Sequence, residues 1–201
     1  MEITKNEAAE NQDKRSRLLN AAMSLVHRQG FTDTRLADIA AEANVPPGNV
    51  YYYFKTKEEI GAAIIDARLS QIKMLHKKLE ESDSPQERLC AFVKMTFMNR
   101  KVLSQSGCPL GTLCSELHKE DGPLAKQSAV LLAENLAWFK TQFEALGRSS
   151  DSKELAVHLL SALQGIAVLA HTLGDPEIVV LETERLQKWI RALGNKSGRE
   201  T

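Results

Sequence analysis

What this 201-residue chain lacks narrows the field first. It has three cysteines, an odd number, which make no secreted disulfide framework. Aromatic residues are 5% of the total, so a core must be built mainly from Leu, Ala, Val and Ile. No apolar run approaches the roughly 20 residues that cross a bilayer. The N-terminus is polar and acidic, unlike a signal peptide. The formal net charge is zero, which excludes a chain that is polybasic throughout. No Ser/His/Asp order, P-loop, dinucleotide fingerprint or carboxylate pair is discernible, so an enzyme is not expected. Cys108, Cys114 and His118 lack a fourth partner for zinc, and neither metal nor cofactor is expected. A reduced, cytoplasmic protein without membrane contact is the expectation.

Charge is present but unevenly spread. Residues 1–13 hold one Lys against four acids, residues 14–57 seven Lys/Arg against three acids, and residues 58–201 eighteen against nineteen. The positive excess falls on one short stretch, the footprint expected of a polyanion-binding surface.

Helical signals account for almost all of the chain, and no convincing strand or internal repeat is found. Residues 1–12 are polar and read as a disordered arm. Leu18, Ala22, Leu25 and Val26 form one apolar stripe of a helix over about 13–29, with Gly30 after its end. Thr34 suits the N-cap of a helix over 35–43. Asn44-Val45-Pro46-Pro47 breaks that helix, and Pro47 opens the next, over 47–54. Thr56 and Glu59 have capping-box spacing before a long helix to about Glu81. Further helices are expected over about 84–104, 109–118, 123–146, 152–173 and 176–193, with a disordered tail from Gly194. The fold class is all-α with about nine helices: an N-terminal three-helix domain over 13–57 and a helical C-terminal domain over 58–195.

Two short helices joined by a tight turn, after a stabilising first helix, form a helix-turn-helix pattern. The second of the pair would enter the major groove with Pro47, Gly48 and Asn49 at its leading end. Gly48 lets backbone approach DNA closely, and Asn49 can reach a base edge or a phosphate. Lys55 and Lys57 flank the groove as phosphate partners, and Thr34 and Arg35 offer amides and a guanidinium to another phosphate. Of the aromatic run, Phe54 belongs to the core and Tyr52 and Tyr53 to the DNA backbone. Tyr51 stays open between the two, since a helix this short cannot bury four consecutive rings.

These residues resemble the N-terminal domain of TetR-family transcriptional repressors. The matching parts are Leu18-Leu19-Asn20-Ala21-Ala22, Gly30-Phe31, Thr34 with Asp38-Ile39-Ala40, Ala43-Asn44-Val45, and Gly48-Asn49-Val50-Tyr51-Tyr52-Tyr53-Phe54-Lys55-Thr56-Lys57-Glu58. The resemblance implies that Thr34, Arg35, Gly48, Asn49, Tyr51, Tyr52, Tyr53 and Lys57 lie at an operator. Where such chains often carry Ser-Lys, this one has Pro46-Pro47, losing a hydroxyl and an ammonium. The resemblance also implies a homodimer on a palindromic, double-stranded operator, released by a small ligand bound in the C-terminal domain.

The C-terminal half supports that in part. Leu155, Leu159, Ala162, Leu163, Ile166 and Leu169, then Val179, Leu186, Trp189, Ile190 and Leu193, form apolar stripes on the last two helices. These suit both the core and a four-helix interface between copies, where Gly165 allows close approach. Phe92, Met95, Phe97, Met98, Trp138, Phe139 and Phe143 are candidate pocket residues or core, and His118, Gln164 and His171 candidate polar ligand contacts. Ser106 to Leu117 resembles a stretch of some electrophile-responsive TetR-like repressors. There Cys108 stands before a helix opened by Pro109, whose free amides would favour a thiolate. A thiol-sensing repressor acting through Cys108 is the alternative reading.

Overall fold

A computed structural model of the chain describes residues 2–194, with side chains from residue 12. All regular structure among these residues is helical. The helices are α1 (Glu2–Gln29), α2 (Leu36–Glu42), α3 (Pro47–Tyr53), α4 (Lys57–Leu79), α5 (Pro85–Met98), α6 (Arg100–Ser106), α7 (Gly111–Lys119), α8 (Pro123–Ala145), α9 (Ser152–Leu173) and α10 (Glu177–Gly194). The all-α architecture is the one expected.

Three boundaries differ from expectation. The arm expected over residues 1–12 is helical from Glu2. It holds Glu, Lys and Ala, which favour helix, and no Pro or Gly interrupts residues 2–29. The helix expected over 84–104 is divided at Asn99 into α5 and α6, giving one helix beyond nine. The Asn99 side-chain amide donates to the Met95 carbonyl at 2.9 Å, an acceptor the Asn99 backbone amide also reaches at 3.1 Å. Finally, α7 opens at Gly111 rather than Pro109. Gly194 closes α10, and the rest of the expected tail, residues 195–201, lies outside the described residues.

The chain forms two compact units. One runs to Arg68 and includes Thr112–Ser128; the other comprises Leu69–Gly111 and the residues from Ala129 onward. The boundary expected after residue 57 therefore falls inside α4. The opening turns of α4 bury Ile60, Ile64 and Ile65, in a unit whose core also holds Leu18, Ala22, Val26, Phe31, Ile39, Val50 and Phe54.

The second unit is centred on Leu89, Val93, Phe139, Phe143, Leu159, Ile166, Val179 and Ile190. Gln86 and Gln187 bind α5 to α10. Gln86 Nε2 donates to the carbonyls of Ile190 and Arg191 at 3.1 and 3.0 Å, and Gln187 Nε2 to that of Cys90 at 3.0 Å. By length and composition α9 could cross a bilayer, contrary to the expectation from apolar runs. Its Leu159, Leu163, Ile166 and Ala170 are instead buried in this core.

Candidate nucleic-acid interface

The turn before α3 is set by Asn44. Its φ of 52° lies in the left-handed region, which Asn tolerates better than most residues. Val45 N–H bonds Ala40 O at 3.0 Å and Asn44 N–H bonds Ala41 O at 3.1 Å, the paired bonds of a Schellman ending. α2 thus stops at Asn44, before the prolines are reached. Pro47 then occupies the first turn of α3, as expected.

Helical periodicity divides the aromatic run. Val50 and Phe54, four apart, face the core, and Phe54 is only 2% exposed. Arg15 lies over the Phe54 ring at 5.1 Å. Tyr51 and Tyr52 fall on the opposite side, 60% and 73% exposed. Tyr51, open between core and surface in the sequence, stands at the surface. Tyr53, one turn from Val50, is half-buried and meets Tyr52 edge-on at 5.0 Å. It is therefore less available to a partner than Tyr52.

Pro46, Pro47, Gly48 and Asn49 are exposed at the leading end of α3. A Cβ built on Gly48 meets nothing within 4 Å. No packing among the described residues requires glycine there, although helical glycine is disfavoured by about 0.5–1 kcal/mol against alanine. Close approach of an external surface supplies a reason.

Thr34 and Lys57 have partners inside the fold. Thr34 is 2% exposed, its hydroxyl donates to Gly30 O at 2.6 Å and its amide to Phe31 O at 3.2 Å. It caps no helix and has no donor left for a phosphate; Arg35 holds the N-cap position of α2. Lys57 is half-buried, with Nζ bonded to Thr32 O at 2.7 Å and lying 4.8 Å from the Phe31 ring centroid. Its ammonium braces the fold before it meets any partner. Arg35 and Lys55 remain exposed beside α3 in sequence, the latter's amide bonded to Glu59 Oε2 at 2.8 Å.

The expected ligand residues do not converge on one site. Phe92, Trp138 and Phe139 pack on one another at centroid distances of 4.8–5.9 Å. Sequence reading missed their fourth member, His76, stacked on Trp138 at 4.6 Å and four residues after the buried Ile72 of α4. Asn135 Nδ2 donates to Leu131 O, so its Oδ1 accepts at 3.0 Å from His76 Nε2, which carries the proton. Burial holds His76 below the usual imidazole range, against the opposing pull of Asn135, Glu134 and Glu80.

Cys108 and Gln164 meet elsewhere in the same unit, with Gln164 Nε2 at 3.6 Å from Cys108 Sγ. His171 lies 3.4 Å from Ser104 O, and Met95 is half-buried on α5. Met98 is 68% exposed, on the same face of α5 as exposed Lys94, so it lines no interior. His118 is exposed and belongs to the first unit, bonded to Cys114 O at 2.9 Å. A groove of about 300 Å³ opens between α5 and α10, lined by Lys94, Phe97, Thr183, Glu184, Gln187 and Arg191. Of the pocket candidates only Phe97 lines it. Cys108 caps no helix opened by Pro109, since α7 starts at Gly111.

Comparison with known proteins bears on the first unit most directly. The family described as bacterial regulatory proteins, tetR family, matches residues 18–64. An uncharacterised HTH-type transcriptional regulator of Lactococcus lactis subsp. lactis is 25% identical over 189 residues, covering 90% of this chain and 95% of that protein. The HTH-type transcriptional regulator LmrA of Bacillus subtilis is 26% identical over 164 residues, covering 80% and 87%. A solved TetR-family regulator from Streptomyces coelicolor superposes with a TM-score of 0.78 at 19% identity, covering 92% and 96%, a likeness of fold.

Proposed function

We propose, for a chain that belongs to the tetR family of bacterial regulatory proteins, a cytoplasmic repressor that binds a palindromic operator as a homodimer and lets go when a small ligand enters its C-terminal unit. The chain is a DNA-binding transcriptional regulator rather than an enzyme. The observation that carries the finer reading is α3 itself. A seven-residue helix pinned by Val50 and Phe54 leaves Asn49, Tyr51 and Tyr52 outward, with an open glycine at its tip. Such a helix suits the major groove, where its leading residues meet base edges and the tyrosines meet phosphates.

A dimer is supported by α9 and α10. Val157, Ser161, Gly165, Val168 and Thr172 form an exposed stripe on α9, and Leu169, Leu173 and Leu181 are exposed nearby in sequence. A Cβ on Gly165 meets nothing within 4 Å, so it fills no tight place inside the chain. Glycine in mid-helix fits better where a second helix arrives. An effector would act by favouring a dimer geometry that fits the operator less well.

The test is a gel shift on a palindromic fragment selected from random DNA, paired with sedimentation. Wild type should bind as a dimer, with affinity falling as salt rises. Val168→Glu should give a monomer with weak binding. A dimeric Val168→Glu chain, or binding by a wild-type monomer, would sink the proposal.

The alternative reading, thiol control through Cys108, has its own test. Cys108 Sγ accepts N–H bonds from Gly111 at 3.4 Å and from Gln164 at 3.6 Å. N-ethylmaleimide should then release operator from wild type and spare Cys108→Ser. Equal release from both would end this reading.

A further inference from the structure

The groove of about 300 Å³ between α5 and α10 lies wholly within the second unit. Hydrogen bonds fix the register of its two walls. Gln86 meets the carbonyls of Ile190 and Arg191, and Gln187 meets that of Cys90. The helices therefore run antiparallel, with Cys90 opposite Gln187. Lys94, one turn beyond Cys90, stands opposite Thr183, one turn before Gln187. Side chains on a helix lean toward its N-terminus. Lys94 and Phe97 thus lean toward the level of Cys90, and Arg191 leans toward the level of Gln187 from the other end. The two cations converge on one stretch of the groove. Burial pushes the Cys90 thiol up and Arg191 opposes it, as a guanidinium at that level should.

The lining suits a small anion with a flat apolar body. Lys94 and Arg191 are two cations against one acid, Glu184, and no ion pair among the described residues takes up any of the three. Glu184 leans toward the start of α10, away from Gln187, so it offsets the two cations only in part. Gln187 donates one amide N–H to Cys90 O, and the amide carries a second. Thr183 is buried, and its hydroxyl donates to Val179 O at 2.6 Å, so it forms plain wall. Phe97 supplies a half-buried ring, with Arg100 over it at 4.6 Å. A carboxylate matches such a set: its two oxygens accept several N–H bonds at once, and a guanidinium can hold both. About 300 Å³ is at the small end for ligand sites, which limits the body to roughly one ring.

We propose that the α5–α10 groove binds a small aromatic monocarboxylate, its carboxylate held by Lys94, Arg191 and the Gln187 amide and its ring laid against Phe97. This rests on the reading of the second unit as the part that takes a small ligand, and it names the place and the chemical class. Phe92, Trp138 and Phe139, the candidates from helical spacing, pack on one another instead.

Benzoate titrated into the full chain, labelled with ¹⁵N, tests this, with benzyl alcohol as its neutral match. Benzoate should bind with a Kd of about 1 mM or below and displace the amide resonances of Lys94, Thr183 and Gln187 most. Benzyl alcohol should bind at least about tenfold more weakly, because it brings no charge. Arg191→Gln and Lys94→Gln should each weaken benzoate about tenfold, and Glu184→Gln should tighten it by roughly twofold. All three side chains are exposed, so these variants keep the fold. Equal binding of acid and alcohol, unchanged affinity in Arg191→Gln, or no binding of benzoate would overturn the proposal. So would displacements largest at Phe92, Trp138 and His76. Saturating benzoate should also weaken operator binding. Binding in the groove with operator affinity unchanged would strike the release reading and leave this site standing.

Discussion

Aromatic residues meet opposite fates in the two units. In α3, a helix of seven residues, Tyr51 and Tyr52 stand in solvent beside a single pair of core anchors. In the second unit Phe92, Trp138, Phe139 and His76 close on one another until little of them is exposed. The difference lies in what each helix can bury. A two-turn helix offers one narrow face, so an aromatic off that face is left for a partner. A helix of six turns, packed on several neighbours, buries most of its large side chains whether or not they serve a ligand. Aromatic content is thus informative about function in the short helix and nearly silent in the long one.

The largest test of this contrast is truncation of the anchors. Phe54→Ala and Phe139→Ala should each cost about 3–5 kcal/mol in urea unfolding, each in its own unit. A loss below about 1 kcal/mol for Phe54→Ala would mean that α3 is not held by its inner face. Next comes Tyr52→Ala, which should weaken operator binding by about 1–3 kcal/mol in a gel shift. Its unfolding should move by less than about 0.5 kcal/mol. Equal effects on stability and binding would erase the distinction between anchor and reader.

Smaller effects separate the two open glycines. Gly48→Ala and Gly165→Ala should each leave the fold unchanged or more stable, by up to about 1 kcal/mol. Gly48→Ala should weaken operator binding, and Gly165→Ala should weaken dimer formation in sedimentation. The smallest concerns His76. Its depressed pKa means the unfolded chain takes up the proton first, so the contribution of neutral, buried His76 is complete above about pH 6.5. It fades as pH falls below that value. Wild type should lose more stability than His76→Phe between pH 7.5 and 5.5, by at most about 1 kcal/mol in urea midpoints. An equal loss in both would show that His76 is not the group responsible.

Much of the first unit is legible in the sequence because its signals are local. Gly30 after the first helix, the break over Asn44 to Pro47, and Pro47 at the start of the next helix are each read within a few residues. The failures there were tertiary. Thr34 looks like a helix cap and a phosphate donor, yet its hydroxyl turns back to Gly30 O. Lys57 looks like a groove-flanking cation, and one of its three N–H donors goes to Thr32 O. Glu116 and Glu120 accept bonds from Phe31 and Thr32, and no periodicity ties them to a loop more than eighty residues earlier. In the second unit the helices were legible, but nothing in the sequence pattern marked the division at Asn99.

The sequence by itself determined the all-α class, the helix-turn-helix, and the place of Phe54 in the core. These follow from hydrophobic period and turn chemistry, which act over a few residues. Only the tertiary structure decided that Tyr51 is outward, that His76 completes the aromatic cluster, and that Thr112–Ser128 joins the first unit. Those outcomes depend on which distant side chains occupy the same space and satisfy the same donors. Adjacency along the chain carries no record of that.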